Sequence, residues 1–353
     1  MKTISESNLT SGTDRMNMVA ESKLTSGEVG ILWMTYMLKS LFSQMAGVFA
    51  KNTVNQYAKT IQNDYVTKNN TLLSEIQKIF TDEKAVCPVA FTSADVFSDA
   101  PSLFDDEFHM MFLRKIAQIM LGFNAVHLSM SYRKDVRELY IKAYELSKDI
   151  YDTATDFLAQ QGVLSKPPYI TMPKEVEFVE QKNYMSGILM GGNKRALNTI
   201  EVSYLYSILE ANVFGMQLTT GFAQVAKEKD VRDYFVKGKD LAKKIVTDMS
   251  KILMDSDIQP PTTWAGKATD SVIPPFSDKM MMYLSNILSS SSSAGSSLGM
   301  AFSMRSDLPL KIALMGKDIL DYAEDGGKLM IEHKWLEEPP QMEDRNHLIK
   351  SKQ

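Results

Sequence analysis

The sequence predicts an all-α protein made of two tandem four-helix bundles, each with a long crossover between its second and third helices. Three observations predict it. First, segments recur at a fixed offset. Leu164-Ser-Lys-Pro167-Pro168 returns 172 residues on as Leu336-Glu-Glu-Pro339-Pro340, and Ser131-x-Arg133-x-Asp135 returns at the same offset as Ser303-x-Arg305-x-Asp307. Glu28-Val29 returns 173 residues on as Glu201-Val202. A fixed offset of this kind signals a repeated folding unit. Second, apolar residues recur at helical spacing over stretches of about 25 residues, enough for helices about 38 Å long. Third, no segment sustains the two-residue alternation of a half-buried strand.

The elements follow in order. Thr25-x-x-Glu28 has the form of a capping box, in which the hydroxyl and the carboxylate satisfy orphan amides at a helix start, and Asn198-x-x-Glu201 has a related form. The recurring glutamates thus have a structural explanation before any catalytic one. Ile31, Leu32, Met34, Leu38, Leu41, Phe42, Met45 and Phe49 give the first helix a wide apolar face. After a turn near 51–55, a second helix is predicted over 54–80. Pro88 then breaks the pattern, which stays irregular past Pro101 to about 104; the second copy breaks at Pro260-Pro261 and resumes near Pro274-Pro275-Phe276. A third helix is predicted over 105–132 and a fourth over 134–161. The fourth carries Val136, Tyr140, Ala143, Ile150, Ala154 and Phe157 on one face, with Leu308, Ile312, Met315, Tyr322, Gly326 and Leu329 as counterparts. Asp135 and Asp307 stand where the third helix hands over to the fourth and are expected to cap the latter. A long link between helices two and three is the connectivity of ferritin-like folds, up-down-down-up.

These signals divide the chain into a polar extension over 1–24, a first bundle over 25–165, a linker over 166–196, a second bundle over 197–340 and a tail over 341–353. The extension has a small repeat of its own, from Glu6 to Gly12 and again from Glu21 to Gly27. It lacks the basic-then-apolar pattern of a secretory leader, so none is expected. The Pro-bearing linker contains Gly191-Gly192-Asn193-Lys194-Arg195, which lacks the glycine spacing and Lys-Ser/Thr pair of a phosphate loop.

Of the 353 residues, 44% are hydrophobic and 23% charged, with a net charge of −4. That balance has no basic surplus for a phosphate backbone, so nucleic acid is not an expected partner. No apolar run approaches the roughly 20 residues that span a bilayer; even the apolar stretch at 186–190 is short. The single cysteine, Cys87, cannot form an intrachain disulfide, so a reducing, intracellular origin is expected and the thiol reads as a small core hydrophobe.

A di-metal ferritin-like site needs Glu-x-x-His on two helices, because residues three apart share a helix face. No glutamate here is followed three residues later by histidine. The nearest substitutes, Asp106-x-x-His109 and Asp344-x-x-His347, are unmatched in the other copy; His127 corresponds to Gly299 and His333 to Gln161. No catalytic, metal-binding or cofactor-binding residue is therefore assigned, and no cofactor is expected. Glu138, Glu145, Asp149, Asp152 and Asp156 form a stripe beside the apolar face of the fourth helix, expected to be solvated. The 24 methionines, including Met110-Met111 and Met280-Met281-Met282, are expected chiefly as core packing. The run from Ser289 to Ser297 reads as a flexible linker by composition, but the offset places it on 117–125, inside the third helix of the first copy. It is expected to be helical, with small residues that admit a close neighbour such as the helix bearing Gly326-Gly327, or that form a contact surface between the bundles.

Glu28-Val-x-x-Leu-Trp33-x-x-Tyr36, Phe91-Thr-x-x-Asp95-Val96, Phe104-x-Asp106, Arg305-x-Asp307-Leu308 and Trp335-Leu-Glu-x-Pro-Pro340 together resemble a ferritin-like family of unknown function from endospore-forming bacilli. That family includes tandem two-bundle members, and some relatives are labelled spore coat proteins similar to coat protein F. The likeness covers both copies. It implies a non-catalytic structural or assembly role, synthesis in the cytoplasm with deposition in the spore or its coat, and self-association or other coat proteins as partners. The alternatives are a metal-binding or redox ferritin-like protein with non-standard ligands, and a soluble binding module with a Met-rich groove. The first copy departs from the second in having Gly162-Val163 where the second has Lys334-Trp335, which is expected to loosen the end of its fourth helix.

Overall fold

The structure is a computed structural model and describes residues 23–187, 194–261 and 267–350. The leader repeat lies largely outside the described residues, as do the apolar positions 188–190 and Gly191-Gly192-Asn193 of the linker. Among the described residues nine α-helices follow in order: α1 (Ser26–Asn52), α2 (Gln56–Asp82), α3 (Asp106–Ser129), α4 (Lys134–Gln160), α5 (Thr199–Val225), α6 (Lys229–Met254), α7 (Asp278–Phe302), α8 (Asp307–Glu332) and the short α9 (Arg345–Lys350). The protein is thus all-helical, in two tandem halves of four long helices each. In each half the first two helices pair, as do the last two, and the pairs pack on each other.

Both predicted capping boxes are present. Glu28 Oε2 accepts from the Thr25 N–H at 2.9 Å while Thr25 Oγ1 accepts from the Glu28 N–H at 3.2 Å; Asn198 and Glu201 repeat the exchange. The glutamates also reach across the half. Glu28 Oε1 accepts from the N–H groups of Tyr132 and Arg133 at 2.9 and 2.7 Å, closing the α3–α4 turn. Glu201 Oε1 does the same for Met304 and Arg305 at 3.2 and 3.0 Å. At the other end, the Asp106 carboxylate accepts from Val54 and Asn55 in the α1–α2 turn, and Asp278 from Lys227 and Glu228 in the α5–α6 turn. Each turn is therefore held by a carboxylate from the first turn of a helix in the opposite hairpin. Burial pushes the Glu28 carboxyl up, but the N–H groups of Arg133, Thr25 and Tyr132 outweigh it and hold its pKa below the ordinary value; Glu201 is lowered likewise, with Arg195 the leading opposing group.

Asp135 and Asp307 do not cap their helices as expected. The N-cap positions are Arg133 and Ser306, with no side-chain cap. The aspartates instead grip the arginine two residues earlier: Arg133 Nε to Asp135 Oδ1 and Arg305 Nε to Asp307 Oδ1, both at 2.8 Å. The physical reason is that Glu28 and Glu201 already satisfy the amides at the turn, which leaves the aspartates free to chelate guanidinium.

The crossovers, 83–105 and 255–277, carry the join between the halves. Val96 bridges to Phe276 and Phe104 to Ala268, the only β pairing among the described residues. By the offset Val96 matches Ala268 and Phe104 matches Phe276, so each bridge is the other with its roles exchanged. The Asp105 N–H donates to Lys267 O, and the matching Ser277 N–H to Asp95 O. Phe49 meets Phe276 at 5.7 Å and Phe222 meets Phe104 at 6.4 Å, edge to face. These matched pairs relate the halves by a pseudo-twofold axis, the geometry of an isologous dimer. Glu337 also accepts from the N–H groups of Val89 and Ala90 at 2.8 and 2.6 Å, bringing the end of the second half onto the first crossover.

Helices α2, α4, α6 and α8 end alike. A residue with positive φ, Lys84, Gly162, Asp257 or Lys334, is followed by an N–H that reaches back to the last turn, as from Trp335 to Met330 O at 2.8 Å. The expected loosening at Gly162 is absent, because glycine is the residue that suits this left-handed position. Lys334 at φ 59° is the strained counterpart. Lys334→Gly should raise the free energy of unfolding by about 1 kcal/mol, read by urea denaturation. In the same assay, Glu28→Ala should lower it by about 3 kcal/mol through loss of the cap and the turn closure.

Candidate functional site

The histidines are absorbed by structure. His109 is buried, with Nδ1 2.9 Å from Thr53 Oγ1, Nε2 3.3 Å from Ser102 Oγ and its ring stacked on Phe49 at 4.4 Å. Asp106 lies 4.0 Å away but is occupied by the α1–α2 turn. His127 Nδ1 lies 3.3 Å from Thr35 Oγ1, which lies 3.0 Å from the Tyr140 hydroxyl. Burial pushes both rings down to a pKa of about 4, with Asp106 opposing the shift at His109. His333 pairs with Asp230 at 2.8 Å and stacks on Trp335, and Asp344 accepts from the His347 N–H beside α9. Among the described residues no three His, Cys, Asp or Glu side chains converge as a metal-holding group.

The acidic stripe on α4 is exposed, and Glu138 and Asp149 pair with Lys134 and Lys148. Met110, Met111 and Met280 to Met282 are buried in the core rather than lining a groove. Cys87 is half-buried against the core, and burial pushes its thiol up. Lys39 is wholly within the first half, its Nζ donating to Asn69 Oδ1 at 3.0 Å, and burial pushes its pKa down to about 7.

The serine run behaves differently. It is helical, inside α7, as expected. Ser289, Ser290 and Ser297 bond carbonyls one turn back, so the helix satisfies its own hydroxyls. Ser293 and Ser296 are the exceptions: their hydroxyls are buried without a partner. Gly326 does not receive the run. It makes room for Tyr234, while Gly238 makes room for Tyr322, and the two rings stack at 4.2 Å.

What the run does face is the first half. A groove of about 480 Å³ opens between α3, α5 and α7, with Ile119, Phe123 and Val126 on one wall, Ile208 and Phe214 on a second, and Ser291 to Leu298 on the third. The internal repeat explains it. Ile119, Met120, Phe123 and His127 of α3 correspond to Ser291, Ser292, Gly295 and Gly299 of α7. Large side chains in the first copy are deleted in the second along one helix face. The same deletion leaves a smaller cavity of about 70 Å³ inside the second half, beside Asn212, Ser285 and Tyr322; Gly215, Leu288 and Ser292 line both spaces. The core divides there: the outer end of the second half, around Leu209, Ile245, Leu308 and Ile312, forms a cluster separate from the main one, which spans both halves.

At the inner end of the groove stands Lys115. Its Nζ donates to Gln118 Oε1 at 3.0 Å, and burial pushes its pKa down to about 8, with Glu210 opposing and Arg114 reinforcing. Arg114 takes Glu210 at 2.7 Å and also bonds Thr155 and Tyr151, tying the halves together beside the groove. Sequence reasoning singled out the run but missed the groove. The signal available was the side-chain size difference between the aligned helices.

Fold and site together define a duplicated, all-helical protein with a cavity in its second half and a largely apolar groove where the halves meet. The chain belongs to the family of proteins of unknown function DUF3231, whose profile matches it twice, over 15–176 and 186–348. No curated protein matches the chain. Among solved structures, a crystal structure of a protein from Bacillus halodurans named a "putative spore coat protein" is similar over 42% of this chain and 98% of its own, at 16% identity and a TM-score of 0.41. Among the described residues no helix is long and apolar enough to cross a membrane.

The buried histidines predict a pH dependence. Their folded pKa values of about 4 lie below the ordinary 6.5, so on acidification the unfolded chain takes up protons first. Their contribution to stability is complete above about pH 6.5 and is lost as pH falls towards 4, each histidine giving a slope of about 1.4 kcal/mol per pH unit within that window. His127→Gln and His109→Gln should each reduce the slope of unfolding free energy against pH by about one proton, measured by urea denaturation from pH 4 to 7.

Proposed function

We propose that this protein is a non-catalytic structural component, two ferritin-like bundles fused into an internal pseudo-dimer that takes part in a larger assembly. The observation that carries this reading is the fate of the duplicated carboxylates. Glu28, Glu201, Asp106 and Asp278 are each engaged by backbone N–H groups at turns, so the groups preserved in both copies hold the fold. The ends joined by these bonds support the ferritin-like arrangement. The start of α1 lies at the α3–α4 turn and the start of α3 at the α1–α2 turn, the order up-down-down-up with a long crossover.

Association is supported by the surface of α8, where Leu310, Leu314, Leu320 and Ile331 are each more than half exposed. The face that would pair two single bundles is already used within the chain, so further contacts fall to such outer surfaces. The spore or its coat is the setting we assign, on the family resemblance read from the sequence.

Metal analysis of protein purified without chelators should find iron and manganese far below one per chain; stoichiometric metal would overturn the non-catalytic reading. Light scattering across a concentration series should show mass rising beyond the monomer, and a monomer throughout would remove the assembly role.

A further inference from the structure

The groove between α3, α5 and α7 has the features of a ligand site rather than a packing fault. Its volume of about 480 Å³ is ordinary for a small-molecule pocket. Its walls are mostly apolar, with Ser207, Ser291, Ser292 and Ser296 among them, and its charge is placed at one end. Lys115 and Val126, the first and last α3 residues on the groove, stand eleven positions apart, about 16 Å along the helix axis. Lys115 brings a cation whose nearest carboxylate, on Glu210, is held by Arg114, so its Nζ has only the Gln118 amide oxygen as partner. At the other end Val126 and Leu298 are more than half exposed. Between them Ser296, 3% exposed, lines the groove with a hydroxyl that no protein group engages, unlike the serines held on carbonyls one turn back. An open apolar channel with one under-neutralised cation at its inner end is complementary to an elongated molecule with a single negative head.

We propose that the groove binds a free single-chain amphiphile, with its anionic head on Lys115 and Gln118 and an unbranched apolar chain of about twelve carbons running towards Val126 and Leu298. A carboxylate there gives Lys115 a direct ion pair, where the fold gives it the Gln118 amide and only the charge of a Glu210 already held by Arg114. The chain takes the space that Ile119, Met120 and Phe123 mark as filled in the first copy and that Ser291, Ser292 and Gly295 leave open in the second. Ligand binding and assembly are separable properties, so either can fail without the other.

The test is isothermal titration of the full, delipidated chain with dodecanoate, dodecyl phosphate, dodecanol and dodecyltrimethylammonium, all below their micelle thresholds. Dodecanoate and dodecyl phosphate should bind saturably at one site per chain, with dodecanol at least tenfold weaker and the cation weaker still. Shortening the acid by two carbons should weaken binding about fifteenfold. Lys115→Met should erase the preference for acid over alcohol. Gly295→Phe restores the first copy's side chain at a position where a Cβ meets open space, and should abolish binding of all four probes. If circular dichroism shows that variant misfolded, Ser292→Met takes its place. The proposal is overturned by an absence of saturable dodecanoate binding, by undiminished binding in the filled variant, by a cation that binds as tightly as the acid, or by a Lys115→Met protein that keeps its acid preference. Co-sedimentation with anionic vesicles without binding of the monomeric probes would also overturn it and assign the surface to a membrane.

Discussion

A carboxylate accepting two consecutive backbone N–H groups at a helix–helix turn is the interaction on which the rest of this structure depends. It occurs four times, at Glu28, Asp106, Glu201 and Asp278. A tight turn between long helices leaves amides that neither helix can satisfy, and such groups are costly when buried. Supplying the acceptor from the opposite hairpin couples the turn chemistry to the tertiary fold. The two hairpins of a half cannot separate without exposing both the turn amides and a partly buried carboxylate. The bonds thus set hairpin orientation as well as local geometry, and the apolar faces then pack in the only register the turns allow.

Duplication gives the molecule a control experiment within itself. The matched contacts at the pseudo-twofold axis, Val96 with Phe276 and Phe104 with Ala268, keep their backbone pairing although Val96 and its counterpart Ala268 differ in size, because a bridge depends on main-chain groups. Away from the axis the copies differ. The first holds buried polar groups, Lys39 with Asn69 and Thr35 with His127 and Tyr140. The second has Ile208 and Ile312 at the positions of Thr35 and Tyr140, and smaller side chains along α7. A core that can be emptied on one helix face and still be bounded by intact helices shows how little of the fold rests on that face.

Much of this was legible in the sequence because the signals were local. Capping boxes, proline breaks and helical periodicity each act over a few residues, and the offset let one copy check the other; the serine run was assigned to a helix on that ground alone. What escaped depended on distance. Asp135 was read as a cap because a cap is the local use of an aspartate, whereas the acceptor that displaced it, Glu28, lies more than one hundred positions away. The groove escaped for the same reason: Lys115 and Ser296 come to line one space only through the join between the halves. The helical end at Gly162 was misjudged by residue type, since glycine weakens a helix interior yet suits the left-handed turn that closes it.

Glu337 adds a consequence for how the chain comes into being. Its carboxylate receives the amides of Val89 and Ala90 across almost 250 positions of sequence, and Ala90 itself sits at φ 57°. During vectorial synthesis the first bundle emerges with that loop unanchored, and the acceptor arrives only after the helices of the second bundle have been translated. The segment that follows α8 therefore completes the crossover of the first bundle, and a nascent chain cut short before Glu337 leaves that loop unanchored.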